Sequence, residues 1–334
     1  MTRRPPWPAG AATGIGSLPG IDVAEATRLV FGELPELPHL PELPARGAGA
    51  DMIGRAAALL VDLPVEIAPS GWRLTARPGR DLRVARDFLD RDLDALEHVG
   101  GEFTGAVKIQ VAGPWTLAAS IELPSGHRVV SDHGATRDLA ESLADGLGRH
   151  LADVQRRLPR ASVVVQLDEP SLPSVLNGHV PTPSGWGTVR AVAANDVEQT
   201  LGQVLSVAPA GARLVHCCAS DAPISLFIAA GADAVAIDST RLESRSFDAL
   251  GEAIEAGIVI LLGVVPGIDS DIAVEGVIGR VEGLWQALGF PRAQLPEAIV
   301  ATTACGLAGA TPDYVRRAMS VLRDASLRLS EESE

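Results

Sequence analysis

The hydrophobic residues of this chain fall into two alternating patterns. Short, nearly continuous apolar runs cover residues 11–17, 39–43, 106–111, 161–167, 213–218, 234–237, 258–265 and 299–304. Between them, apolar residues recur at helical spacing, as in Leu139, Leu143, Leu147 and Leu151. The first pattern predicts strands buried on both faces, hence a parallel sheet, and the second predicts amphipathic helices. Helices are expected over residues 23–34, 51–63, 82–99, 136–158, 195–207, 222–230, 247–256, 272–288 and 314–329, with helix and loop sharing 113–133. Eight strands, each followed by helix, predict a (β/α)8 TIM barrel. An open doubly wound sheet is the alternative. No Gly-x-Gly-x-x-Gly follows the first strand, which argues against a dinucleotide-binding fold.

Two stretches depart from the alternation. Residues 33–47 carry four Leu-Pro steps. Proline excludes a helix interior and favours extended chain, so the second strand is expected at 39–43, with Glu42 and Arg46 near its exit. Residues 65–77 hold two alternating runs around Pro-Ser-Gly, which predicts a small β-hairpin inserted into the barrel pattern. No repeat or linker divides the chain, so residues 1–334 are expected to form one barrel domain.

Composition narrows the partners. The net charge of −14 argues against nucleic acid or an anionic membrane. No apolar run reaches the ~18 residues of a spanning helix. The opening Met-Thr-Arg-Arg-Pro-Pro-Trp-Pro lacks the apolar core of a signal peptide. Three cysteines, two of them adjacent, make no disulfide framework. A cytoplasmic protein is expected.

Catalytic residues of a (β/α)8 barrel stand at the C-terminal ends of the strands. Strand interiors here are almost wholly apolar. The polar side chains at their exits are Ser17, Glu42, Asp168, Glu169, His216, Cys218, Asp238, Asp269 and Cys305. Strand alternation puts His216 and Cys218 on one face and Cys217 on the other, packed outward. A His-x-Cys pair is half of a tetrahedral zinc site, and Cys305 and Asp238 supply the other half from later strands. The competing reading makes Cys218 and Cys305 small buried hydrophobes. Two thiolates and a carboxylate over-neutralise Zn2+, which makes it a poor activator of water. A substrate thiol bound there still loses its proton and stays nucleophilic. Thiol alkylation is therefore the expected chemistry. Four protein ligands close such a site, and Asp238 is the candidate to give way to substrate.

The remaining strand-end residues suit an amino acid. Asp168 and Glu42 match an ammonium group, and Asp168 is the leading catalytic candidate. Ser17, with the loop amides after Gly16, matches a carboxylate. Glu169 reads as a salt-bridge partner. His39, His127, His133 and His179 read as surface loop residues, and Trp115 as core packing.

These motifs resemble those of the cobalamin-independent methionine synthase family, in its C-terminal catalytic barrel. Ile15-Gly16-Ser17-Leu18-Pro19, Ala112-Gly113-Pro114-Trp115-Thr116 and Gln166-Leu167-Asp168-Glu169-Pro170 are similar to family segments. So are His216-Cys217-Cys218, the run 232–241 ending Asp238-Ser239-Thr240-Arg241, and Cys305-Gly306-Leu307. The resemblance implies zinc on His216, Cys218, Cys305 and Asp238. It implies homocysteine as substrate, with its carboxylate at Ser17 and its amine at Asp168, and Glu42 as a looser match.

Four departures bear on the chemistry. Asp238 stands where the family has glutamate, one methylene longer. The family's second, N-terminal barrel has no room in this chain. Leu117-Ala118-Ala119-Ser120 replaces the family's Asn-Trp-Ser-Phe, and Gly267-Ile268-Asp269-Ser270 replaces its Asp-Ile-His-Ser. The homocysteine side is retained and the folate side altered, as in short single-barrel members, some of which take methyl from a methylated corrinoid. The methyl donor is thus expected to be a methylcorrinoid, on a carrier protein or free, or methylfolate. Two rival readings remain at this stage. One is a lyase resembling uroporphyrinogen decarboxylase, which wants arginines at the mouth and has only Arg46 there. The other is a non-catalytic zinc barrel that binds a thiol amino acid.

Overall fold

The structure is a computed structural model that describes residues 5–243 and 245–331. Its strands are β1 (Ala12–Thr13), β2 (Val65–Ala68), β3 (Gly71–Leu74), β4 (Ala106–Ala112), β5 (Ser162–Asp168), β6 (Arg213–Cys217), β7 (Ala234–Asp238), β8 (Val259–Val265) and β9 (Ile299–Thr303). Strands β2 and β3 pair antiparallel as the inserted hairpin. The other seven form one parallel sheet in the order β1-β9-β8-β7-β6-β5-β4. Helices follow the strands along the sheet's outer face, which makes the molecule a (β/α)8 TIM barrel.

The eighth stave closes the barrel through isolated bridges, where sequence predicts a continuous strand. His39 pairs with Lys108 on β4, and Glu42 pairs with Ser17 beyond β1. Leu40 N donates to the Lys108 carbonyl at 2.9 Å, and Glu42 N to the Gly16 carbonyl at 3.2 Å. Pro38 and Pro41 have no N–H, so only alternate positions can donate and the ladder stays broken. β1 is shorter than the apolar run 11–17 because the stave it would pair with beyond Thr13 is this interrupted one.

Side-chain alternation divides the core into two layers. One cluster fills the lumen and includes Trp7, Leu37, Val164, Leu214, Ala236 and Leu261. The larger cluster lies between sheet and helices and includes Ile109, Leu167, Val215, Cys217, Ile237 and Leu262. Toward the C-terminal ends of β4, β5 and β6 the buried positions turn polar, at Lys108, Gln110, Gln166, Asp168 and His216. The parallel register pairs Gln110 with Gln166 and Asp168 with His216, so these groups sit side by side across neighbouring strands. Among the described residues, no helix is long and apolar enough to cross a membrane.

Candidate active site and metal centre

Cys218, just past β6, and Cys305, just past β9, come from distant parts of the sequence and meet at the barrel mouth. Their sulfurs are 3.6 Å apart. Tetrahedral zinc with Zn–S bonds of about 2.3 Å sets two sulfurs roughly 3.8 Å apart, so this spacing fits a metal edge. The sulfur–sulfur hydrogen bond pulls the Cys305 thiol down to about 6 and pushes Cys218 up. Cys217 is buried among helix-facing residues, and burial pushes its thiol up to about 12.

His216 supplies a third donor. Its Nδ1 lies 2.9 Å from Asp168 Oδ1. Its Nε2 is buried without a hydrogen-bond partner. His216 is one of the groups that lower the Cys305 thiol, which places the ring near that sulfur. A buried nitrogen with no partner is costly unless a ligand meets it, and a metal held with the two thiols does so. Among the described residues, however, no three His, Cys, Asp or Glu side chains stand together at ligating distances. The thiols are at metal spacing, and His216 must close on them to complete the set.

Asp238 is placed differently from the other three. Its Oδ1 accepts from Thr240 N at 2.9 Å and Thr240 Oγ1 at 2.7 Å. Its Oδ2 pairs with Arg241 Nε at 3.3 Å. The carboxylate caps the turn that follows β7 and does not reach the thiol pair.

Ser17 lies against the loop that carries Cys305. A Cβ on Gly306 would lie 1.9 Å from Ser17 Oγ, so the hydroxyl rests directly on the residue after Cys305. Leu307 N donates to the Ser17 carbonyl at 2.7 Å and fixes that contact. Glu42 is buried beside Arg55, whose Nε is 3.4 Å from its Oε1. Burial raises the Glu42 carboxyl to about 7, against the pull of Arg55, and the charge of nearby Asp168 adds to the rise. Ser17, Glu42, Asp168, His216, Cys218 and Cys305 thus share one end of the barrel.

Several other strand-end residues have structural roles. Glu169, read from sequence as a salt-bridge partner, instead caps the helix Pro114–Ser120. It accepts from Trp115 N at 3.0 Å, Thr116 N at 2.7 Å and Thr116 Oγ1 at 2.7 Å. Asp269 accepts from Thr311 N at 2.8 Å and ties the loop after β8 to the start of the last helix. Arg46 forks onto Asp92 at 2.6 and 2.9 Å and covers Phe88, so it is not offered to a substrate. Trp115 is buried, with Nε1 donating to the Val197 carbonyl at 3.2 Å.

His39 overturns its sequence reading. It is fully buried in the lumen against Gly14, where a Cβ would come within 2.5 Å of its ring. Burial and the neighbouring Lys108 charge hold its pKa well below the usual value. His127, His133 and His179 are exposed as expected. Sequence reasoning also passed over Lys108, Gln110 and Gln166. The available signal was polar residues at every second position of otherwise apolar strands, at 108 and 110 and at 166 and 168. Lys108 is fully enclosed, and burial lowers its amine to about 7 despite the Asp168 and Glu42 carboxylates. A cavity of about 900 Å3 lies at the opposite end of the barrel beside Trp7 and Pro296. No histidine or cysteine lines it, so the chemistry belongs to the mouth.

A sequence profile of the family described as "Cobalamin-independent synthase, Catalytic domain" matches residues 10–327. Among solved structures, a B12-independent methionine synthase from Shewanella sp. W3-18-1, in complex with selenomethionine, superposes with a TM-score of 0.61. It is 11% identical, over 99% of each chain, and the likeness shows the fold. A β-mannanase from the blue mussel Mytilus edulis reaches a TM-score of 0.30 at 8% identity, over 79% of this chain and 97% of its own, too distant to carry an argument. No curated protein matches in sequence. The profile spans the whole barrel, from before β1 into the last helix, and the chain therefore belongs to the cobalamin-independent synthase catalytic-domain family.

Proposed function

We propose that the protein is a zinc-dependent methyltransferase that makes methionine from homocysteine, with a methylcorrinoid as donor. The observation that carries this reading is the Cys218–Cys305 pair at metal spacing, with a buried, unpartnered His216 Nε2 beside it. The selenomethionine held by the Shewanella structure is the selenium analogue of that product and supports the same substrate class.

The chain's own groups would divide the work as follows. Ser17 Oγ takes the substrate carboxylate. Asp168 and Glu42 take the ammonium. Glu42, held up to about 7 by burial, becomes a full carboxylate when the cation arrives. Zinc on His216 Nε2, Cys218 and Cys305 would make the substrate thiol a thiolate at neutral pH. The two cysteine thiolates keep that sulfur electron-rich. The thiol proton leaves to solvent, the sulfur lone pair bonds to the donor's methyl carbon, and the electron pair of the carbon–cobalt bond stays on the corrinoid, which departs in its cobalt(I) form. Asp238 is the fourth ligand in this proposal, and it must first release Thr240 and Arg241. A fourth ligand so engaged leaves the metal position open to substrate.

The donor side supports a methylcorrinoid over methylfolate. Leu117 and Ala118 are fully buried core residues and offer a pterin nothing. Asp269, where the family resemblance leads one to expect a histidine, is engaged by Thr311. The arginine on which the lyase reading relied, Arg46, is committed to Asp92.

The test offers zinc-loaded protein and homocysteine either methylcobalamin or methyltetrahydrofolate, side by side. Methionine formed with methylcobalamin is expected. Calorimetric binding of homocysteine without turnover on either donor would instead make the protein a thiol-binding zinc barrel.

A further inference from the structure

A chain of four side chains runs through the lumen and ends at His216, and its hydrogen bonds can point only one way. Lys108 Nζ donates to the Ile15 carbonyl at 2.8 Å and to Gln166 Oε1 at 2.7 Å. Gln166 Oε1 is thereby the acceptor. Its Nε2 donates to the Ile15 carbonyl at 3.0 Å and to Asp168 Oδ1 at 2.7 Å. A carboxylate oxygen only accepts, so His216 Nδ1, 2.9 Å from the same oxygen, carries the ring proton. In a neutral imidazole the other nitrogen then bears the lone pair, and that nitrogen is the buried, unpartnered Nε2.

We propose that Lys108 and Gln166 are positioning residues that hold Asp168 Oδ1 against His216 Nδ1, the contact that fixes the tautomer in which His216 keeps Nε2 free for a metal. Both are fully enclosed, and their hydrogen bonds go to one another, to the Ile15 carbonyl and to Asp168. Their influence therefore passes through Asp168. Gln166 also fixes which Asp168 oxygen faces the imidazole, which leaves Oδ2 for the substrate ammonium. The inference takes its purpose from the zinc reading above, while its geometry is independent of it.

Gln166→Glu tests the relay with almost no change in volume. The new side chain still accepts from Lys108 but turns an acceptor toward the Ile15 carbonyl and Asp168. Two readouts apply to the full chain: long-range proton–nitrogen spectra of the histidine rings in zinc-free protein, and zinc affinity by chelator competition. Wild type should show His216 as the Nδ1–H form, its signals assigned by their loss in His216→Gln. In Gln166→Glu the Nε2–H form should appear and zinc should bind roughly 10–100-fold more weakly, as for other outer partners of metal-bound histidines. Gln166→Met, apolar and of similar length, gives the same two readouts if the charged variant does not fold. Lys108→Met should weaken zinc binding in wild type but add little in the Gln166→Met background, because Lys108 acts through Gln166. The proposal is overturned if wild-type His216 is the Nε2–H form, or if both Gln166 variants keep the wild-type tautomer and zinc affinity. A wild type that binds no zinc would sink the metal reading, and the tautomer spectra would still decide the relay.

Discussion

Replacing Glu42 by Gln should make the barrel more stable and the enzyme worse. Glu42 is 5% exposed, and burial raises its carboxyl from 4.5 to about 7. The unfolded chain ionises this group from about pH 4.5, the folded chain only near pH 7. A pKa raised on folding gives stability that is present in acid and lost as pH climbs through the window between those values. Relative to the fully protonated state, the loss is roughly 1 kcal/mol at pH 5 and roughly 3 kcal/mol at pH 8. Glu42→Gln removes this term and leaves pH-independent packing changes equal at both pH values. Its stability relative to wild type should therefore be roughly 2–3 kcal/mol more favourable at pH 8 than at pH 5. Urea unfolding of zinc-free protein at the two pH values measures this. A difference that is the same at both, or larger in acid, would refute the claim that Glu42 is held against its ionised form. In the same variant the KM for homocysteine should rise about 10–100-fold, the cost of losing a charge-assisted hydrogen bond.

Other substitutions probe separate parts of the site. Gly306→Ala puts a Cβ 1.9 Å from Ser17 Oγ. It should raise the KM for homocysteine about tenfold or more, with zinc stoichiometry unchanged. Glu169→Ala strands two buried backbone N–H groups and the Thr116 hydroxyl, and should cost about 2–5 kcal/mol in urea unfolding, with Glu169→Gln milder. Asp238 must exchange its Thr240 and Arg241 partners for a metal, so Asp238→Ala should weaken zinc less than Cys305→Ser does in chelator competition. Arg241→Ala should tighten zinc if Asp238 ligates it, and leave it unchanged otherwise.

The barrel was legible because its strands are apolar on both faces, a pattern that half-exposed strands cannot produce. The stave at 39–42 was harder, since proline both extends the chain and removes the N–H groups a ladder needs. His39 lies between two of those prolines, and nothing local distinguishes its lumen position from a surface loop. His216 and Cys218 could be selected by alternation alone, and Cys305 by its place after a strand. Asp238 was legible as a strand-end carboxylate, but the Thr240 and Arg241 contacts that engage it depend on turn geometry. Arg46 and Asp92 stand 46 residues apart, so their pairing had no local trace. The Lys108–Gln166–Asp168–His216 relay needs the register of three strands, which only the assembled sheet supplies.

The central claim is that the mouth activates a substrate thiol on zinc. X-ray absorption at the zinc edge, before and after homocysteine is added, tests it most directly. The account predicts zinc bound by nitrogen and two sulfurs at rest, with one further sulfur when homocysteine binds. A sulfur count that homocysteine leaves unchanged would contradict it.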